Sequence, residues 1–323
     1  MARLLLGRVA QAGAVAALVA TLTFFLIHLA PGDPFAMLQE SMSVPPEVVD
    51  AQRALYGLDE PVGEQYLRYM SRVARGDLGW SIQHGMPVSD AIASRLPGTL
   101  ILMGTALVAS FALGVALGVA QAVRRGSRFD RVTRAAALLF HSLPSFWLAI
   151  VLLIVLAYRL DLFPTGQSAD PLASLHPFWW RVRDRLAHLA LPALTLVLLT
   201  TASIARHQRA ALLDVLPEDF VRTATAKGVP ARAVILRHAL RNALLPVITL
   251  LGLALPALLG GTVLVEQVFS WHGMGTLLVG AIQSRDYFLL TGCVLVGSVL
   301  VVAGSLLADA LSTLADPRLR QDG

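Results

Sequence analysis

Six apolar stretches divide the chain, at roughly Val9–Ala30, Gly98–Ala122, Val132–Tyr158, Leu186–Ala205, Ala243–Val265 and Phe288–Leu314. A hydrocarbon core of about 30 Å needs about 20 apolar helical residues, because the bilayer offers no partner for unsatisfied backbone groups. Each stretch meets that requirement, so the pattern predicts an all-α polytopic membrane protein with six transmembrane helices. The third and sixth are long enough to tilt. The fourth is the weakest, since it contains His188 and Pro192.

The polar segments between the spans set the expected orientation. With a cytoplasmic N-terminus, the inside segments are 1–8, 123–134, 206–242 and 315–323, and they hold 16 Lys and Arg residues. The outside segments, 31–97, 159–185 and 266–287, hold 10 although they are nearly twice as long. Basic residues are retained on the cytoplasmic side, so both termini are expected there. The segments then comprise a terminus and first span (1–30), a large first extracytoplasmic loop (31–97), a transmembrane core (98–314) and a cytoplasmic tail (315–323).

Composition agrees with a bilayer as solvent: 56% of the 323 residues are hydrophobic and 15% charged, with mean hydropathy +0.66. The first span runs about 22 residues and ends in Pro31-Gly32-Asp33-Pro34 without a small-x-small cleavage site, so it reads as a retained span and not a removed signal. The net charge of +5 does not point to nucleic acid, because Arg124, Arg125, Arg128, Arg131 and Arg134 crowd one short turn between spans without interleaved aromatics. The single cysteine, Cys293, lies in an apolar run and is read as a packing residue; no disulfide and no cysteine metal site can form within the chain. Pro144, Pro192, Pro246 and Pro256, with glycines such as Gly114, Gly118, Gly260 and Gly261, are read as bundle-packing and kinking residues.

The inner segment 206–242 is too long for a turn and carries two successive helix patterns. Leu216-Pro217-Glu218-Asp219 is a helix start, with proline and two acids in the first turn. That helix ends at Lys227, with Gly228 as its terminating residue. A second helix begins at Pro230 and continues through Leu240 into the fifth span. On physical grounds the pair serves equally as an amphipathic element on anionic lipid or as a docking site for a cytoplasmic protein.

The stretch Arg222-Thr223-Ala224-Thr225-Ala226-Lys227-Gly228, followed by Arg237-His238-Ala239-Leu240-Arg241-Asn242-Ala243-Leu244-Leu245-Pro246, closely resembles the EAA loop of ABC-importer permeases. The chain is similar in particular to the dipeptide, oligopeptide and nickel branch of these binding-protein-dependent transport subunits. The likeness extends to Ala30-Pro31-Gly32-Asp33-Pro34, Gly76-Asp77-Leu78-Gly79-Trp80-Ser81, Gly261-Thr262-Val263-Leu264-Val265-Glu266, Phe269-Ser270-Trp271-His272-Gly273-Met274-Gly275 and Asp316-Pro317-Arg318. Arg222 stands where the general pattern has Glu, and Leu245-Pro246 lies farther from the glycine; both features resemble the peptide and nickel branch. His272 stands where proline is more usual.

The resemblance implies the type I ABC-importer permease fold and a role for 224–232 as a coupling helix seated in an ATPase subunit. Arg222, Thr223, Ala224, Ala226, Lys227, Gly228 and Arg232 are then the contact residues. It further implies a second homologous permease subunit, two cytoplasmic ATPase subunits and an extracytoplasmic solute-binding protein. That protein would dock on outer loops, including the helix-like text Glu47–Leu55 and Gln65–Arg75. No cofactor is expected in this chain, with ATP and Mg bound by the ATPases; the only lysine, Lys227, precedes Gly228 and lies in no Walker A loop. The chain is therefore read as non-enzymatic.

Peptide is the expected cargo, with nickel chelates, glutathione and sugars as alternatives. His141, Ser142, Pro144 and Glu266 are the candidate pathway residues, Glu266 alternatively serving as a gate or docking contact; His28 and Asp309 are weaker candidates near span ends. A secondary transporter is the competing class, but midplane carboxylates and an internal repeat are absent from the sequence. No H-E-x-x-H, G-x-S-x-G or clustered acid pair points to a membrane enzyme.

Overall fold

The computed structural model describes residues 2–29 and 60–315, with side chains except at 2–12, 27–28, 251–259, 261, 308–309 and 311–315. The expected helix Glu47–Leu55, the Pro31–Pro34 and Asp316–Arg318 motifs, and the side chains of His28 and Asp309 lie outside what is described.

The described residues of all six apolar stretches are helical, apart from short breaks. Helix α1 covers Ala2–Leu29, α2 Val62–Ala74, α3 Val88–Val123, α4 Arg128–Ser142 and α5 Ser145–Leu152, the last continued by a π-helical segment Leu153–Arg159. Helix α6 covers Phe178–Val215, α7 Asp219–Ala226, α8 Ala231–Ala233, α9 Leu240–Ala243, α10 Leu245–Val268, α11 Met274–Gln283 and α12 Tyr287–Ala315. A two-residue hairpin, β1 (Trp80–Ser81) with β2 (Met86–Pro87), precedes α3. Among the described residues, three helices, Val88–Val123, Phe178–Val215 and Tyr287–Leu307, are long and apolar enough to cross a membrane, and the bent pair Arg128–Ser142 with Ser145–Arg159 makes a fourth when taken as one span.

The helices differ from the expected spans in three places. The third span is not one continuous helix: α4 and the stretch Ser145–Arg159 meet at a bend of 108°. Pro144 forces this, because proline disfavours helical backbone in the residue before it, and Leu143 is extended with ψ 138°. Helix α3 overruns its apolar stretch by more than two turns at its N-terminal end, and α6 overruns its own by two turns or more at both ends and passes Pro192 without interruption. An additional apolar helix, α11, lies within the expected outer segment 266–287.

The chain divides into two compact units, one built from 1–97 and 273–302 and the other from 98–272 and 303–323. In the first, α1 and α2 are joined by rings: Phe24 stacks on Tyr69 at 5.4 Å and meets Tyr66 edge-on, while the Thr21 and Tyr66 hydroxyls lie 2.9 Å apart. Its core gathers Val88, Ala91 and Ile92 of α3 with Met274, Leu277 and Ala281 of α11 and Leu289 and Cys293 of α12. Cys293 is thus a buried packing residue. Buried Asp286 fixes the hairpin to this core: Ser81 Oγ donates to its Oδ2 at 2.6 Å and the Gln83 amide does so at 3.0 Å.

In the second unit α6 is the central helix, packing on α4, α5, α9 and α10. Its core contains Leu102, Met103 and Ala106 of α3, Ala149 of α5, Leu191, Leu196 and Val197 of α6, and Val265, Phe269 and Trp271. Gly114 and Gly118, four apart on α3, let α6 approach closely. A Cβ at Gly114 would sit 2.6 Å from the Ile204 side chain, and one at Gly118 would sit 2.6 Å from the Ala205 carbonyl oxygen.

Candidate functional site

Segment 206–242 folds as two helices around a tight turn. Helix α7 starts after Glu218, with extended backbone there, and Asp219 occupies its first turn, where the helix dipole favours an acid. It ends at Lys227, and Gly228 adopts φ +78°, the left-handed conformation that costs an L side chain about 1–2 kcal/mol. The Gly228 and Val229 amides donate back to the Thr225 and Ala224 carbonyls, closing the last turn. Pro230 precedes α8, and a π-helical segment, Val234–Ala239, carries the chain into α9.

One face of this element is rooted in the bundle. Val221, Ala224, Val234, Ala239 and Ala243 form a buried cluster with Leu212 of α6 and Ala122 of α3. The other face is open. Arg222, Thr223, Ala226, Lys227, Gly228 and Arg232 are all exposed, as are Thr225 and Arg237. Arg222 has only a weak contact to Asp219 at 3.8 Å, both side chains being solvated. Of the residues named from the sequence, Ala224 stands apart: it is 7% exposed and packs inward, anchoring α7. Thr225 is exposed in the same row and was not singled out from the sequence; helical spacing from Arg222 would have found it.

The candidate pathway residues do not form one site. His141, Ser142 and Pro144 lie together at the break between α4 and α5; His141 and Ser142 are exposed, and Ser142 Oγ donates to the Leu138 carbonyl at 2.9 Å. Glu266, near the end of α10, belongs to a separate contact. It is fully buried, and Thr99 Oγ of α3 donates to its Oε1 at 2.7 Å. The carboxyl is thus enclosed within the helix contact and is not displayed on the surface of this chain. His272 adopts a structural role: its amide donates to Ser168 Oγ at 2.7 Å.

A cluster absent from the sequence reading centres on Asp130 in the first turn of α4. Asp130, 1% exposed, accepts from Arg209 Nε at 3.0 Å on Oδ1 and from Arg209 Nη2 at 3.0 Å on Oδ2. The Gly126 amide adds a third bond at 3.0 Å, and Arg134 lies 3.5 Å away. The Arg209 fork, followed by the Gly126 amide, holds this carboxyl below its ordinary value. The one available signal in the sequence is that Asp130 is the only acid among five arginines. Among the described residues, no group of three or more His, Cys, Asp or Glu side chains could hold a metal ion.

Comparison with known proteins agrees with this architecture. Residues 114–321 match the family described as the binding-protein-dependent transport system inner membrane component, and residues 1–103 match its N-terminal part. The oligopeptide transport system permease protein AppB of Bacillus subtilis is 38% identical over 306 residues, covering 93% of this chain and 94% of that protein. The dipeptide transport system permease protein DppB of Escherichia coli is 37% identical over 318 residues, covering 94% of each. A putative peptide transport system permease protein of Brucella abortus is 42% identical over the full length of both. The fold is similar to that of a chain of the MetNI methionine ABC transporter, with TM-score 0.57 at 16% identity over 70% of this chain and 96% of that one. With matches spanning nearly the whole sequence and a helical bundle of that fold, this chain belongs to the family of inner-membrane components of binding-protein-dependent transport systems, the permease subunits of ABC importers.

Proposed function

We propose that this permease subunit passes peptides across the inner membrane, and that α7 with the turn at Gly228 is the element that receives mechanical work from a companion ATPase. Membership of a binding-protein-dependent family makes the chain one part of a system that includes ATPase subunits and a solute-binding protein. The peptide cargo rests on relatives named as oligopeptide and dipeptide permeases. Both termini and the loop 206–242 face the cytoplasm, the side that their basic residues favour. A second, homologous permease subunit completes the pathway.

The observation that carries the coupling role is the two-sidedness of the loop. Val221, Ala224 and Val234 root it in α3 and α6, while Arg222, Thr223, Ala226, Lys227 and Arg232 stand free to meet an ATPase groove. Their charge-assisted donors suit carboxylates and carbonyls on such a surface. The element is therefore built to be pushed on one side and to move the bundle on the other.

The test is Gly228→Val in the co-purified complex. Valine cannot adopt φ +78° without strain, so the angle between α7 and the following helix must change. The complex is expected to assemble, while transport and substrate-stimulated ATP hydrolysis fall together. Unchanged transport would reject the coupling role.

A further inference from the structure

We infer that the Asp130–Arg209 pair is the strut through which motion of the coupling loop reaches the α3–α4 turn, making both residues positioning groups for transport. The inference rests on the coupling role proposed for α7.

The geometry has three parts. Leu212, one turn beyond Arg209 on α6, is fully buried against Val221 and Ala224 of α7. Displacement of α7 therefore bears directly on this end of α6. Arg209 in turn grips Asp130 through two parallel bonds of 3.0 Å, and Asp130 is locked to its own turn by the Gly126 amide. The chain of contact thus runs from α7 through α6 to the turn that ends α3 and starts α4.

A bidentate fork fixes orientation as well as distance, which a greasy contact does not. Static packing would not require it, since a buried ion pair can be replaced by apolar residues with little loss of stability. The five arginines around Asp130 are all exposed, Arg134 approaching it at 3.5 Å, but both short bonds from an arginine to this buried acid come from a sixth, Arg209, on another helix. Gln208, the neighbour of Arg209, is fully buried, and neither its Oε1 nor its Nε2 has a hydrogen-bond partner. A buried amide left without partners is a cost that good static packing would remove.

The experiment uses the complete complex reconstituted with its ATPase, second permease and binding protein. Arg209→Lys keeps the charge and loses the fork; the double variant Asp130→Leu with Arg209→Met keeps the volume and removes the charges. Both are expected to assemble at wild-type levels and to hydrolyse ATP, while solute moved per ATP falls about tenfold, within the range of a typical coupling energy. Wild-type transport per ATP in the assembled double variant would overturn the strut, as would loss of transport only in proportion to lost assembly. Gly228→Val separates the two readings: if it uncouples and the pair variants do not, the strut alone fails; if it transports normally, the coupling role fails first.

Discussion

Thr99 and Glu266, 167 residues apart, meet in a hydrogen bond of 2.7 Å in which the threonine hydroxyl donates to a carboxyl with no solvent exposure. Taking one donor away from a buried carboxyl costs more than the bond is worth, because part of the compensation for its desolvation goes with it. Thr99→Val, nearly isosteric, is therefore expected to lower stability by about 1–3 kcal/mol. Thermal unfolding in detergent checks this, and Thr99→Ser should retain most of the wild-type midpoint.

The close approach of α3 and α6 predicts a sharper loss. At Gly118 a Cβ would meet the Ala205 carbonyl at 2.6 Å and the Gln208 Cβ at 2.7 Å, so any side chain must push the helices apart. Gly118→Leu is expected to cost at least about 1–3 kcal/mol from overpacking, and to reduce the folded yield from membranes. Gly104, with nothing within 4 Å of its Cβ position, is the control and should tolerate alanine.

The Asp130–Arg209 pair predicts a pH dependence of defined sign. The folded carboxyl titrates below its ordinary value of 3.8, so its stabilising contribution is complete above that value and is lost as pH falls through the lower folded value. Wild type and Asp130→Asn should differ in stability by a constant amount from neutrality down to about pH 5, and the difference should shrink below pH 4. Denaturant unfolding of the purified chain at a series of pH values measures it. A difference that grows on acidification would contradict the assignment.

Orientation is testable with one engineered thiol. Thr225 is exposed on α7, and the only natural cysteine, Cys293, is buried. In a Cys293→Ser background, Thr225→Cys is expected to react with a membrane-impermeant maleimide in inverted vesicles and to stay unmodified in intact cells. The opposite pattern would invert the topology.

What the sequence discloses divides along the range of the interactions involved. Span positions and the helix–Gly228–helix element are local: they follow from runs of apolar residues, acids at a helix start, and a glycine and a proline in succession, and the structure has those helices. The break at Leu143–Pro144 was not legible, because a proline inside an apolar run reads equally as a tolerated kink; the structure makes it a 108° turn. The ends of α3 and α6 extend into polar text such as Val88-Ser89-Asp90 and Arg206-His207-Gln208, where hydropathy falls but helical backbone continues. Contacts such as Asp130–Arg209, Thr99–Glu266 and Ser81–Asp286 join distant segments, and no periodicity encodes them. Burial of Ala224 was hidden for a related reason: the motif reads as one surface, and only packing on Leu212 and Ala122 tells its inner face from its outer one.

The central claim is that this bundle has no motor of its own and is driven through the loop around Gly228. The direct measurement is uptake against a gradient into proteoliposomes holding this chain with its partner permease and binding protein, with and without the ATPase subunits. Accumulation only when the ATPase and ATP are both present is the result predicted here. Uphill accumulation without any ATP-hydrolysing subunit would contradict it.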